Sequence, residues 1–120
     1  NLNNMRDEAS DRKSGKNTIV VQMGGEKAKK YHYFLIITAM VVFVVFALLN
    51  NFNIDQYLFL VAYYPLVKHL DTVKKNTNPK ELDPELKKVA LSTFLLSVLF
   101  SLCMIYFFSD VIVNTFMGGR

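Results

Sequence analysis

Cysteine and histidine are scarce in this 120-residue sequence. The single cysteine, Cys103, excludes a disulfide framework. The two histidines, His32 and His69, have no Cys or His partner at metal-ligand spacing, so they read as interfacial polar residues. Internal repeats, low-complexity tracts and a signal-peptide pattern are also missing. The most informative absence is that of charge. No formally charged residue occurs in the 24 positions between Lys30 and Asp55, or in the 21 between Lys88 and Asp110. A membrane-spanning helix needs roughly 20 apolar residues and a buried soluble helix far fewer, so an ordinary soluble domain is excluded. The hydrophobic fraction of 52% is modest because it averages over polar segments as well.

Where charge is present, it is segregated. Residues 1–30 carry seven Lys/Arg and residues 68–88 carry six, with Arg120 the only other basic residue. Acidic residues included, these two segments sum to +5 of the formal net charge of +4, and the remainder sums to −1. Basic clusters flanking apolar runs are what cytoplasmic segments of membrane proteins show. No aromatic residues interleave them as a base-stacking surface requires, so nucleic acid is not an expected partner. The fold expected is all-α and integral to the membrane. Spans are expected near 31–49, 54–70 and 84–109, joined by a turn at 50–53 and a loop at 71–83. Residues 1–30 and 68–88 would lie on the cytoplasmic side, and the turn at 50–53 and the C-terminus on the outer side. Because the first residue is Asn1, the sequence reads as an internal or C-terminal piece of a longer protein.

Local signals add detail. Residues 1–13 have helical character, and Gly15 ends it. Thr18-Ile19-Val20-Val21-Gln22 is β-branched and reads as extended. Gly24-Gly25 is a turn. The middle span carries Asp55, Lys68 and His69 near its ends and Pro65 inside, where a kink is expected. Asp83-Pro84-Glu85 reads as an N-cap, a proline at the first helical position and an acid in the first turn, which starts the last helix near Pro84. Residues 111–117 extend that helix or cap it, and residues 118–120 form a tail. Tyr57, Tyr63, Tyr64 and Cys103 read as packing side chains, and Asp55 and Asp110 as interfacial acids.

The chemistry concentrates in residues 3–18. On a helix Asn3, Asp7 and Asp11 recur every four residues and share a face. Two carboxylates one turn apart suit Mg²⁺, which takes oxygen ligands and completes its shell with substrate phosphates. Arg6, Arg12 and Lys16 surround the pair and can neutralise a phosphate-rich ligand. Alone, two aspartates at this spacing are more often the mark of a solvated, mixed-charge helix end.

The whole string is more specific. Asn3-Asn4-Met5-Arg6-Asp7, then Asp11, then Gly15-Lys16-Asn17-Thr18 resembles the second aspartate-rich motif of the UbiA superfamily of intramembrane prenyltransferases. It is most similar to the 1,4-dihydroxy-2-naphthoate polyprenyltransferase branch, which serves menaquinone biosynthesis. The resemblance implies a nine-helix bundle in the cell membrane, of which this chain supplies the last three spans. It implies that Asp7 and Asp11 bind Mg²⁺ on a polyprenyl diphosphate. Arg6, Arg12 and Lys16 would contact that diphosphate, and Asn3 and Asn4 would line the pocket. The acceptor would be 1,4-dihydroxy-2-naphthoate, with another aromatic acceptor as the close variant. The family's first aspartate-rich motif does not occur in these 120 residues, so this chain by itself is expected to be inactive. The reading of another class is a non-enzymatic three-span membrane protein with a cation-binding cytoplasmic loop.

Overall fold

The structure, a computed structural model, describes residues 1–116 and Gly118. Met117, Gly119 and Arg120, and with them the expected tail, lie outside the described residues. Among the described residues every element is helical: α1 (Leu2–Lys13), α2 (Ile19–Met23), α3 (Gly25–Leu49), a long 3₁₀ segment (Ile54–Ala62), α4 (Tyr63–Lys75), a short 3₁₀ turn (Pro79–Leu82) and α5 (Asp83–Phe116). The all-α membrane class therefore holds. The molecule is elongated, 70 × 23 × 18 Å.

Helix α1 ends where expected. Gly15 takes φ +74°, a left-handed value that a side chain would oppose, and turns the chain back. The expected extended segment is instead helix α2. Thr18 caps it, its Oγ1 accepting from the Val21 amide at 3.2 Å. Val20 is driven fully into the interior beneath α1. One cap and one buried side chain override the β-branched preference. Gly24 turns the chain with φ +79°. Helix α3 then runs away from this end to the turn at 50–51, where Asn51 accommodates φ 53°.

The return segment departs from expectation. In place of one helix over 54–70, nine residues form 3₁₀ helix before α4 begins. The start is fixed by Gln56, whose Oε1 accepts from the Asn53 amide at 2.8 Å and whose Nε2 donates to Asp110 at 3.1 Å. Burial follows the geometry. Gln56, Phe59 and Ala62 recur every three residues in the 3₁₀ part, and Leu66, His69 and Val73 at three and four in α4. Pro65 lies in the first turn of α4, where its missing N–H matters least, so it marks the change of helix type.

The last helix begins earlier than expected. Asn78, not Asp83, is the cap, its Oδ1 accepting from the Lys80 amide. The 3₁₀ turn passes directly into α5, and Asp83 already has helical φ and ψ. Residues 111–116 extend the helix. Its buried or half-buried positions, 85, 86, 89, 92, 96, 99, 100, 103, 104 and 107, recur at helical spacing along one stripe, and the rest of its apolar surface lies outside that stripe.

Two helical runs, Gly25–Leu49 and Pro79–Phe116, are long and apolar enough to cross a membrane. The expected middle span is divided and does not reach that length as one helix, so the count of three is not carried over. Only 11% and 17% of the two spanning windows are buried, unlike core helices of a soluble protein. Phe34, Val42, Phe94 and Ile105 are all at least half exposed, which calls for an apolar surround.

Packing divides into two apolar cores. One, around Phe52, Phe59, Leu66, Leu96 and Cys103, joins the spanning helices, and buried Cys103 is a packing side chain there. The other, around Met5, Val20, Ala28, Val73 and Leu82, fastens α1 and α2 onto the ends of α3, α4 and α5. Residues 1–30 and 68–88 therefore meet at one end of the bundle, and the turn at 50–53 and Asp110 lie at the other.

Candidate functional site

Helix α1 lies across the polar end of the bundle because Leu2 and Met5 are buried in the second core. Arg6, one position beyond Met5, is left at the edge. Its Nε and Nη2 donate to the two oxygens of Asp7 at 2.8 and 2.9 Å, a bidentate fork. Nη2 also donates to Asn3 Oδ1 at 2.8 Å, and Nη1 to Asp83. The hydrogen bonds from Arg6, opposed by partial desolvation, hold the Asp7 carboxyl below the ordinary carboxylate range. The same bonds to Asp7 and Asp83 raise the Arg6 guanidinium further, so it stays charged at any working pH.

Asp11 is handled differently. It is buried, and Lys16 Nζ donates to it at 3.1 Å, with the Gly15 turn carrying the chain back to bring Lys16 within reach. Arg12 pairs with Glu8 at 3.0 Å rather than with either aspartate.

Arg6, Asp7 and Arg12 line an open cleft of about 830 Å³ between α1 and the 78–83 turn. Asp11, Lys16, Asn3 and Asn4 do not line it. The cleft also takes Lys13, Asn78, Lys80 and Asp83, none of which the sequence reading assigned to a site. Asn78, Lys80 and Asp83 lie some 70 positions from α1, and no local pattern announces their approach.

A Mg²⁺ ion here would be shared with a phosphate ligand and not caged by the protein. Asp7 and Asp11 stand one turn apart on α1, Asp7 at the cleft in the Arg6 fork and Asp11 buried against Lys16, and among the described residues no group of three His, Cys, Asp or Glu side chains is placed to hold a metal. Two carboxylates with phosphate oxygens and water can make an octahedral shell.

A second polar cluster was invisible in the sequence. His32, His69 and Glu85, expected at interfaces or on a first turn, are all at least 95% buried. They come from α3, α4 and α5 and form a chain: His32 Nε2 to His69 Nε2 at 2.8 Å, and His69 Nδ1 to Glu85 at 2.8 Å. Lys88 donates to the other Glu85 oxygen at 2.5 Å. With Glu85 ionised beside Lys88, His69 must donate from Nδ1. A single proton then bridges its Nε2 and the Nε2 of His32. The chain lies between the two apolar cores and pins the three helices together.

Over 102 residues, 85% of its length, the chain is 37% identical to the 1,4-dihydroxy-2-naphthoate octaprenyltransferase of Haemophilus influenzae and 36% identical to the enzyme of that name from Escherichia coli. It is a relative of these octaprenyltransferases. The motif resemblance is thus matched by similarity along most of the chain. The chain spans about a third of the length of these octaprenyltransferases, 33% of each. No family model and no solved structure matches it.

Proposed function

We propose that this chain is part of a Mg²⁺-dependent polyprenyltransferase of the UbiA type. The enzyme would move a prenyl chain from a polyprenyl diphosphate to 1,4-dihydroxy-2-naphthoate in menaquinone biosynthesis. The observation that carries the reading is helix α1 itself. Its aspartates lie one turn apart, Asp7 at a cation-lined cleft at the polar end of the bundle and Asp11 buried behind it against Lys16. The names of the two octaprenyltransferases supply the substrate class.

Asp7 and Asp11 are the residues that would hold Mg²⁺, which when bound neutralises the diphosphate and makes it a better leaving group. Arg6 has a fork that can pass from Asp7 to phosphate oxygens, and Arg12 and Lys16 add positive charge on either side. Lys13 and Lys80 extend this field across the cleft. Fixed cations of this kind stabilise the charge that develops as the allylic C–O bond breaks. Asn3 holds the Arg6 fork in place, and Asn4 follows it on α1, outside the lining of the cleft. The apolar helices accommodate the prenyl tail in lipid. The aspartate-rich end faces the cytoplasm, following the positive charge. On this reading these 120 residues alone are inactive, because a metal site of this type draws on a further aspartate-rich segment.

The test uses the full-length protein in membranes. Asp7→Ala and Asp11→Ala should each abolish Mg²⁺-dependent prenyl transfer while membrane insertion is retained. Near-normal turnover in either variant refutes the assigned metal role. Transfer to 4-hydroxybenzoate in preference to 1,4-dihydroxy-2-naphthoate would keep the enzyme class and replace the acceptor.

A further inference from the structure

A second cleft, of about 410 Å³, opens between α4 and α5 on the flank of the bundle. Lys68 and Thr72 of α4 and Lys88 and Ser92 of α5 line it, and His69 and Glu85 close its floor. Nothing in the proposed transferase chemistry uses it.

Its charge is positive. Lys68 sits 4.6 Å from the centroid of the Tyr64 ring, and among the described residues no carboxylate makes an ion pair with it. Lys88 contacts Glu85 but keeps 64% of its side chain exposed, with two of its three N–H donors unused. The hydroxyls of Thr72 and Ser92 already donate to the carbonyls of Lys68 and Lys88. The two ammonium groups are therefore the donors this cleft offers a ligand, and the single facing carboxylate does not balance them.

Its surroundings are apolar on one side only. Tyr64 precedes Lys68 by one turn and is 66% exposed; Leu91 follows Lys88 by about one turn and is 57% exposed. Because α4 and α5 run in opposite directions, both lie on the side of the lysines away from the polar end. The cleft thus has a cationic rim towards the polar end and an apolar skirt running into the exposed faces of Val67 and Phe94. A phosphate that carries acyl chains matches that cross-section; a free phosphate uses only half of it.

We propose that the cleft between α4 and α5 binds the phosphate headgroup of an anionic membrane lipid. Lys68 and Lys88 hold the phosphate, and the acyl chains lie along Tyr64 and Leu91. Basic pockets between spanning helices commonly hold such headgroups. The inference rests on the membrane reading of α3 and α5 but not on the prenyltransferase activity, so the two fail separately.

The test places the full-length protein in phosphatidylcholine nanodiscs with a photoreactive phosphatidylglycerol and maps the labelled peptides. Labelling should fall within residues 64–92 and be competed by phosphatidylglycerol but not by phosphatidylcholine or inorganic phosphate. Each of Lys68→Gln and Lys88→Gln should weaken it about fivefold, from roughly 1 kcal/mol per lysine at an anionic surface. The double arginine variant should keep it, which guards against a folding defect. The double variant Lys74→Gln, Lys75→Gln removes the same charge outside the cleft and should leave the labelling of 64–92 intact. Unchanged labelling in both single glutamine variants overturns the proposal. So does an equal loss in the Lys74/Lys75 control, loss in the arginine variant, or competition by inorganic phosphate as strong as by the lipid.

Discussion

Asp83 and Glu85 stand two residues apart at the start of α5 and belong to opposite kinds of network. The Asp83 side chain is 68% exposed and reaches out to Arg6; that of Glu85 is 3% exposed and completes the chain through His69 to His32. Two residues along a helix turn the side chain to nearly the opposite face, so one short stretch serves both the open cleft and the closed interior. In the open network charges can exchange partners, since solvent supports each one when its partner leaves. In the closed network every group depends on its neighbour, because an unpaired buried polar group has nothing to replace the lost bond. Exchangeable contacts suit a site that must admit an anionic ligand. Dependent ones suit a joint between helices.

The largest expected effect falls on the closed network. Glu85→Ala leaves the Nδ1–H of His69 buried without an acceptor and should destabilise the protein by about 3 kcal/mol. Asp83→Ala should leave the thermal midpoint in detergent unchanged. Equal losses in the two variants would erase the contrast. His32→Leu tests the far end of the chain. It deprives His69 Nε2 of its hydrogen-bond partner while filling the space with apolar atoms, so a smaller loss of about 1 kcal/mol is expected by the same thermal measurement. A loss as large as that of Glu85→Ala would mean that His32 acts through packing, beyond its single hydrogen bond.

The smallest effect is the pH dependence of the open network. The folded pKa of Asp7 lies below its ordinary value of 3.8, so its contribution is fully present above that value and is lost as the pH falls through the lower folded one. The stability difference between the parent and Asp7→Asn should therefore stay flat between about pH 5 and pH 8 and shrink only in stronger acid. A slope near neutrality would show that a different group titrates with the network.

Much of this organisation was legible in the sequence because it is written locally. The charge-free runs mark α3 and α5, Gly15 ends α1, and Asp7 and Asp11 declare a shared face through their spacing. What was not legible depends on residues distant in the chain. Thr18–Gln22 has extended propensity, but Val20 finds a hydrophobic core beneath α1 and the segment winds into a helix. Asp83 has the form of a cap, yet Asn78 takes that role and Asp83 turns to Arg6. His32, His69 and Glu85 lie 37 and 16 positions apart on three helices, a spacing with no local signature.

The nine-residue 3₁₀ segment has a mechanical consequence. A 3₁₀ helix rises about 2.0 Å and turns about 120° per residue, an α-helix about 1.5 Å and about 100°. Rewinding Ile54–Ala62 as α-helix would shorten the segment by about 4–5 Å and, with α4 held in place, swing Gln56 by about a third of a turn, away from Asp110. Length and rotation are thus coupled as on a screw thread. The hydrogen bond between Gln56 and Asp110 is the stop that holds it at full extension.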